Sequence, residues 1–267
     1  MFLKIEVNCR SGIHNIPASN YPLISCICIT KNRLELLKRA IICFEHQTYP
    51  NKELIIVYED DITATYLENN VVNPNIFAIK IIPSKENKLG NLRNLAIWEA
   101  RGQYICQWDD DDWYHTERLS YQYHVIKETG YKGSILTRWL MFDNTTDLAY
   151  ISCRRLWEGS VLCDRETIMQ KAYVNRSKGE EEPVIKYLTS GNFIKAIPDM
   201  PHLYIYNFHG SNTFNYGHFS NLITRSIVLP FIAIDKIKNI LQLIYPASEG
   251  AQWLNNIFNG LYSNEHS

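Results

Sequence analysis

The chain predicts an α/β protein built on a doubly wound, mostly parallel sheet, and three observations carry that expectation. Apolar runs of strand length alternate with helical stripes through the first 115 residues. The connections between them are short, as successive strand–helix–strand units require. A polar cluster follows three of the runs: Thr30-Lys31-Asn32-Arg33, Glu59-Asp60-Asp61 and Asp109-Asp110-Asp111-Asp112. Open α/β sheets bind ligands beyond the carboxyl ends of their strands, so the three clusters are expected to share one site.

The elements follow in order. Leu23 to Ile29 is a near-continuous apolar run, as in a strand buried on both faces. Leu34, Leu37, Ile41 and Phe44 then fall on one helical stripe, which Tyr49-Pro50 ends. Leu54 to Tyr58 and Phe77 to Ile82 read as strands two and three. Leu92, Leu95 and Ala96 support a helix that Gly102 closes, and Tyr104 to Trp108 is the fourth strand. Ile135 to Phe142 and Ala149 to Ser152 read as a strand pair around the turn Asp143 to Asp147. Gly179 to Leu188 reads as a loop entering a helix, and from about residue 220 the chain reads as helical, with Ile237, Ile240, Leu241, Leu243 and Ile244 on one face.

Composition narrows the class. With 267 residues, 46% hydrophobic and 21% charged, the chain is an ordinary globular protein with a sizeable core. A net charge of −1 gives no reason to expect nucleic acid. The seven cysteines, Cys9, Cys26, Cys28, Cys43, Cys106, Cys153 and Cys163, mostly lie in apolar runs, which fits free thiols in a reducing, cytoplasmic compartment. The start Met1 to Glu6 does not read as a signal peptide, and Ile227 to Ile234, broken by Pro230, is too short to span a bilayer. Peripheral contact at the inner membrane face stays open, through Ile227 to Tyr245 with Lys236 and Lys238.

The acidic run is the feature that points to chemistry. Four successive carboxylates repel one another unless a cation sits among them or water screens them. The run is therefore either a solvated turn or a site for a divalent ion with an anionic ligand.

Several stretches, in order, resemble family 2 glycosyltransferases of the GT-A fold. Pro22 to Arg33 is similar to that family's first strand and loop, and Gln47 to Val57 to its helix end and second strand. Lys88-Leu89-Gly90-Asn91-Leu92-Arg93-Asn94 with Ala100 to Ile105 resembles the approach to the DxD motif, and Asp109 to Asp112 sits where that motif belongs. The match is strong over residues 22–118 and looser to about 220. It implies a GT-A domain over 1–220, with a nucleotide-binding part at about 22–118, an acceptor part at about 119–220, and a helical extension at 221–267.

The resemblance also implies roles. Asp111 is the metal ligand, for Mn²⁺ or Mg²⁺, with Asp109 and Asp110 nearer the ribose or sugar of a nucleotide-diphosphate sugar. Glu59 and Asp60 fall where the base is held, and a carboxylate there accepts the N3–H of a pyrimidine; the alternative is a helix cap. Thr30, Lys31, Asn32 and Arg33 lie over the nucleotide, and Arg93 suits phosphate or carboxylate. Gly179-Glu180-Glu181-Glu182 resembles the Gly-Glu-Asp segment, which makes Glu181 the general base and Glu180 and Glu182 the fallbacks. Acids at a helix start also need no catalytic role, because the macrodipole favours them. Trp157 and Glu158 fall on the acceptor side, and His209 resembles a late histidine that completes the metal shell, which would favour manganese.

The expected activity is inverting, metal-dependent transfer from a UDP-linked donor to a glycan or lipid-linked acceptor. Two rivals stand beside it. A sugar nucleotidyltransferase should carry a Gly-rich loop after the first strand, and Thr30 to Arg33 has no glycine. A non-catalytic nucleotide-sugar-binding module is left open by Glu181 standing where the family has aspartate.

Overall fold

The computed structural model describes residues 5–6 and 20–263; Cys9 and most of the N-terminal stretch lie outside them. An eight-stranded sheet forms the centre. Its strands are β1 (Ile5–Glu6), β2 (Ile24–Ile29), β3 (Lys52–Tyr58), β4 (Ile76–Ile81), β5 (Tyr104–Gln107), β7 (Gly133–Leu136), β10 (Leu162–Asp164) and β11 (Ile194–Ile197). They run in the order β1-β4-β3-β2-β5-β10-β7-β11, with β4, β3, β2 and β5 mutually parallel. A second sheet, in the order β13-β9-β8-β12-β6, is built from β6 (Trp113–Tyr114), β8 (Leu140–Asp143), β9 (Leu148–Ile151), β12 (Tyr204–Phe208) and β13 (Ile227–Val228).

Alternation along the parallel strands feeds two cores. In β2, Ile24, Cys26 and Cys28 pack into the larger cluster and Ile27 into the smaller; in β3, Leu54, Ile56 and Tyr58 oppose Ile55 and Val57 in the same way. That is why both runs are apolar throughout. Helix α1 (Leu34–Glu45) closes the larger cluster with Leu37, Ala40, Ile41 and Phe44, and α3 (Leu89–Glu99) closes the smaller with Leu92, Leu95 and Ala96. The remaining helices are α2 (Asp61–Asn70), α4 (Arg118–Thr129), α5 (Arg165–Met169), α6 (Glu182–Ser190), α7 (Tyr216–Ile223), α8 (Phe231–Leu241) and α9 (Ala247–Ser263).

Two expectations are corrected, and one helix is added. The run Ile135 to Phe142 is two strands, because the chain leaves one sheet after Leu136 and enters the other at Leu140; only the second half pairs with β9, Leu140 facing Ile151. Residues after Asp60 form α2, whose cap is Asp60 itself. The region after 220 also contains a strand, β13, which extends the second sheet beside β9. Helices α8 and α9 bury Ile237, Ile240, Leu254 and Phe258 in the same cluster as β2, so this part packs against the main core. The described cysteines are free thiols. Among the described residues no helix is long and apolar enough to cross a membrane.

Candidate active site

The four aspartates leave β5 in different directions, and each finds its own partner. Asp112 is buried beneath the site, where it accepts hydrogen bonds from the Tyr204 hydroxyl and, at 3.0 Å, from the Asn207 amide. Burial, then the charges of Asp111 and Asp109, push its carboxyl well above the usual range. Asp110 accepts from Thr30 Oγ1 at 2.6 Å, and burial with the Asp111 charge raises it to about 7. Asp111 goes the other way. Burial opposes its charge, but the His209 hydrogen bond and the charges of Arg33, His209 and Arg39 outweigh burial and hold it below the ordinary value. Asp109 is raised as well, by burial first, although Arg93 pairs with it at 3.0 Å and pulls the other way, so Asp111 alone of the four is held below its ordinary value.

Asp111 is where strand and loop meet. Its Oδ2 accepts from Arg33 Nη1 at 3.1 Å, His209 Nε2 at 3.3 Å and Asn212 Nδ2 at 3.3 Å. His209 and Asn212 lie on the turn after β12, and Gly210, at φ 86°, gives that turn its left-handed step. The ring of His209 is fixed at its other nitrogen, 2.9 Å from Ser211 Oγ.

Arg93, buried on α3, spans two acids: Nη1 donates to Glu180 at 2.6 Å and Nη2 to Asp109 at 3.0 Å. Glu180 is committed to that pair, and burial raises it to about 7 against the pull of Arg93. Glu181, at the N-terminal cap of α6, faces the same pocket with a buried Oε2 that has no hydrogen-bond partner. Glu182 is exposed and is not part of the pocket wall.

The same pocket is lined by Trp157, Glu158 and Arg155, with Tyr206, Phe214 and His218. Trp157 stacks on Trp139 at 4.4 Å, and Arg155 reaches Glu158 only at 3.7 Å. Thr30, Asn32, Glu59 and Asp60 lie outside this pocket, at the ends of β2 and β3. Glu59 pairs with Lys31 and accepts from Asn87 Nδ2 at 3.2 Å. Asp60 accepts from the Asn32 amide at 3.0 Å and from the Thr63 amide at 2.8 Å, so the cap alternative describes its present contacts.

Residues 25–191, more than half of the chain, match the model of Glycosyl transferase family 2. The chain belongs to this family. Over 102 residues it is 39% identical to an Escherichia coli (strain K12) protein named as a colanic acid biosynthesis glycosyl transferase, WcaA; the match spans 38% of this chain and 37% of that relative. Among solved structures, S. aureus TarS 1–349 in complex with UDP-GlcNAc shares a TM-score of 0.59 at 14% identity, over 80% of this chain and 70% of that one. The mannosyltransferase PcManGT from Pyrobaculum calidifontis, in complex with GDP-Man and Mn²⁺, shares 0.55 at 14% identity, over 92% and 80%. At such identity these two establish the fold, GT-A, and nothing finer.

A divalent ion can be tested against the side chains of this family 2 site. Among the described residues no cluster of three or more His, Cys, Asp or Glu is placed to cage a metal. Asp111 and His209 nevertheless offer one carboxylate and one imidazole at a single point. A carboxylate with substrate phosphates and water is a common setting for such ions, and the added imidazole suits Mn²⁺ better than Mg²⁺, so the donor set fits a manganese-type site. Asn212, Tyr206 and Arg155 were not singled out from the sequence. Asn212 lies three residues after His209 but carries no chemical signature, and Tyr206 sits inside an ordinary apolar strand.

Proposed function

We propose that this family 2 member is an inverting glycosyltransferase that moves a sugar from a nucleotide-diphosphate donor, UDP-linked in the first instance, to a hydroxyl of a glycan or lipid-linked acceptor. The observation that carries the proposal is the placement of Glu181. Glu181 lines the pocket that also holds Asp111, Arg93 and Trp157, and its buried Oε2 has no hydrogen-bond partner. A carboxylate oxygen without a hydrogen-bond partner in a site of this kind is suited to take a proton.

In this reading Glu181 removes the acceptor hydroxyl proton. The oxygen attacks the anomeric carbon from the face opposite the diphosphate, and the electron pair of the breaking C–O bond leaves with the diphosphate. Arg93 keeps Asp109 and Glu180 in place, and Trp157 offers a flat face to the acceptor sugar. Glu59 and Asp60 lie toward the base, where a carboxylate accepts a pyrimidine N3–H. Asp111 and His209 would hold Mn²⁺ or Mg²⁺, which supplies charge neutralisation to the leaving group. The UDP-GlcNAc and GDP-Man complexes of the structural neighbours support a nucleotide-sugar donor without choosing the base.

The test is a transfer and donor-hydrolysis assay over UDP- and GDP-sugars, with Glu181→Gln and Asp111→Asn beside the wild type. Activity with at least one donor, lost in both variants with the fold retained, supports the reading. Wild-type turnover by Asp111→Asn contradicts it.

A further inference from the structure

One oxygen of this site is over-subscribed. Asp111 Oδ2 takes hydrogen bonds from Arg33, His209 and Asn212 at 3.1, 3.3 and 3.3 Å. The remaining amino group of Arg33, Nη2, donates to the Ser211 carbonyl at 2.7 Å. The guanidinium therefore bridges the acidic run to the 209–212 turn, across the pocket whose wall it helps form. The inference that follows rests on the metal-binding part of the proposed function.

We propose that Arg33 and the divalent cation compete for Asp111 Oδ2, and that the donor diphosphate decides the competition by drawing Arg33 away. A guanidinium cannot lose its proton, so it cannot share the oxygen as a metal ligand. Two cations on one oxygen repel strongly in a partly buried site. An ionised Asp111 oxygen accepts from His209 only when Nε2 carries its hydrogen, whereas Nε2 binds metal only through a lone pair, so this hydrogen bond must also be given up. Arg33 lies on the loop before α1 with its side chain 26% exposed, and its Nη1 is also 3.4 Å from Asp110 Oδ1, so it can leave Asp111 without leaving the acidic run. A diphosphate offers its fork a bidentate acceptor that a single carboxylate oxygen does not. Release of Ser211 then frees the turn that carries His209. Metal and diphosphate should consequently bind with positive coupling, each raising affinity for the other by the same factor. Arg33 is a positioning residue in this scheme.

The experiment is a titration of free Mn²⁺ by electron paramagnetic resonance, with and without UDP. In the absence of UDP, Arg33→Ala is expected to bind Mn²⁺ about tenfold more tightly than wild type, the scale of one hydrogen bond to a charged group. UDP should sharpen Mn²⁺ binding in the wild type and much less in the variant. Arg33→Gln serves as a second variant with the same expectation. Lys38→Ala removes a positive charge from α1, where it pairs with Glu35 and not with Asp111, and should change Mn²⁺ affinity by no more than about twofold, as a screened charge would. A merely structural role for Arg33 would weaken Mn²⁺ binding on its removal. If both Arg33 variants bind Mn²⁺ no more tightly than wild type, while UDP-dependent binding persists in the wild type and is lost in Asp111→Asn, the competition is refuted alone. If the wild type binds no Mn²⁺ even with UDP, the metal reading falls and the competition falls with it.

Discussion

Arg93 and Glu180 form a buried ion pair, Nη1 to Oε1 at 2.6 Å, which ties α3 to the segment that presents Glu181. Both side chains are almost fully enclosed, at 7% and 2% exposure. Replacing Arg93 with Met leaves Glu180 buried without its partner and also strips Asp109 of its ion pair. Breaking a buried pair from one side costs on the order of 3–5 kcal/mol. Urea unfolding should show a loss of that size for Arg93→Met. Arg93→Lys should lose less, yet remain well below wild type, because one ammonium cannot serve both acids. Wild-type stability in Arg93→Met would mean that the pair is structurally idle.

The three glutamates at the start of α6 should separate cleanly. Glu181→Gln is expected to lower transfer by about 10²–10⁴, the usual contribution of a positioned base, while leaving UDP affinity intact. Glu182→Gln, exposed and off the pocket wall, should behave as wild type. Glu180→Gln should lower both stability and activity, through Arg93. Full activity in Glu181→Gln would move the base elsewhere.

Stability should fall as pH rises through neutrality. Asp110 and Glu180 are both raised to about 7 from ordinary values of 3.8 and 4.5. The folded state therefore holds these protons more tightly than the unfolded chain. Their contribution is complete below the ordinary values and is lost as pH climbs through about 7, at up to about 1.4 kcal/mol per pH unit for each group. Asp60 and Asp111, both lowered, contribute above their ordinary value, and that contribution is lost only in acid. Thermal unfolding between about pH 5 and about pH 8 should show a declining Tm, with a shallower decline in Asp110→Asn. An unchanged slope in that variant contradicts the assignment to Asp110.

Gly90 sets the distance between α3 and the chain leading to Glu181. A Cβ there would lie 1.9 Å from the Val174 carbonyl oxygen, and the Gly90 amide donates to the Arg176 carbonyl at 3.0 Å. Gly90→Ala must push the 174–180 segment away, at a cost of roughly 1–3 kcal/mol for overpacking. Because that segment carries Glu180 and Glu181, kcat should fall more than stability alone explains. Unaltered kcat and unfolding midpoint would show that the contact relaxes freely.

Much of the first half was legible because burial on both faces leaves an unbroken apolar run, as in β2 and β3, and a one-sided stripe, as in α1. Helix α2 was not, since it buries only Thr63, Ala64 and Leu67 and so carries little periodic signal. The change of sheet at Thr137 to Trp139 is equally silent in the sequence, because the strands on either side are both apolar. At the site, like-charge crowding made the acidic run stand out. What relieves it comes largely from afar: Tyr204, Asn207 and Asn212 reach it from about a hundred residues downstream, and only the fold brings them together.

Calorimetric titration of UDP into wild type and Asp111→Asn, with and without Mn²⁺, tests the central claim most directly. The account expects wild-type binding that tightens strongly with Mn²⁺, and a variant in which the metal makes no difference. Equal UDP affinity with and without Mn²⁺ in the wild type, or no UDP binding at all, would contradict it.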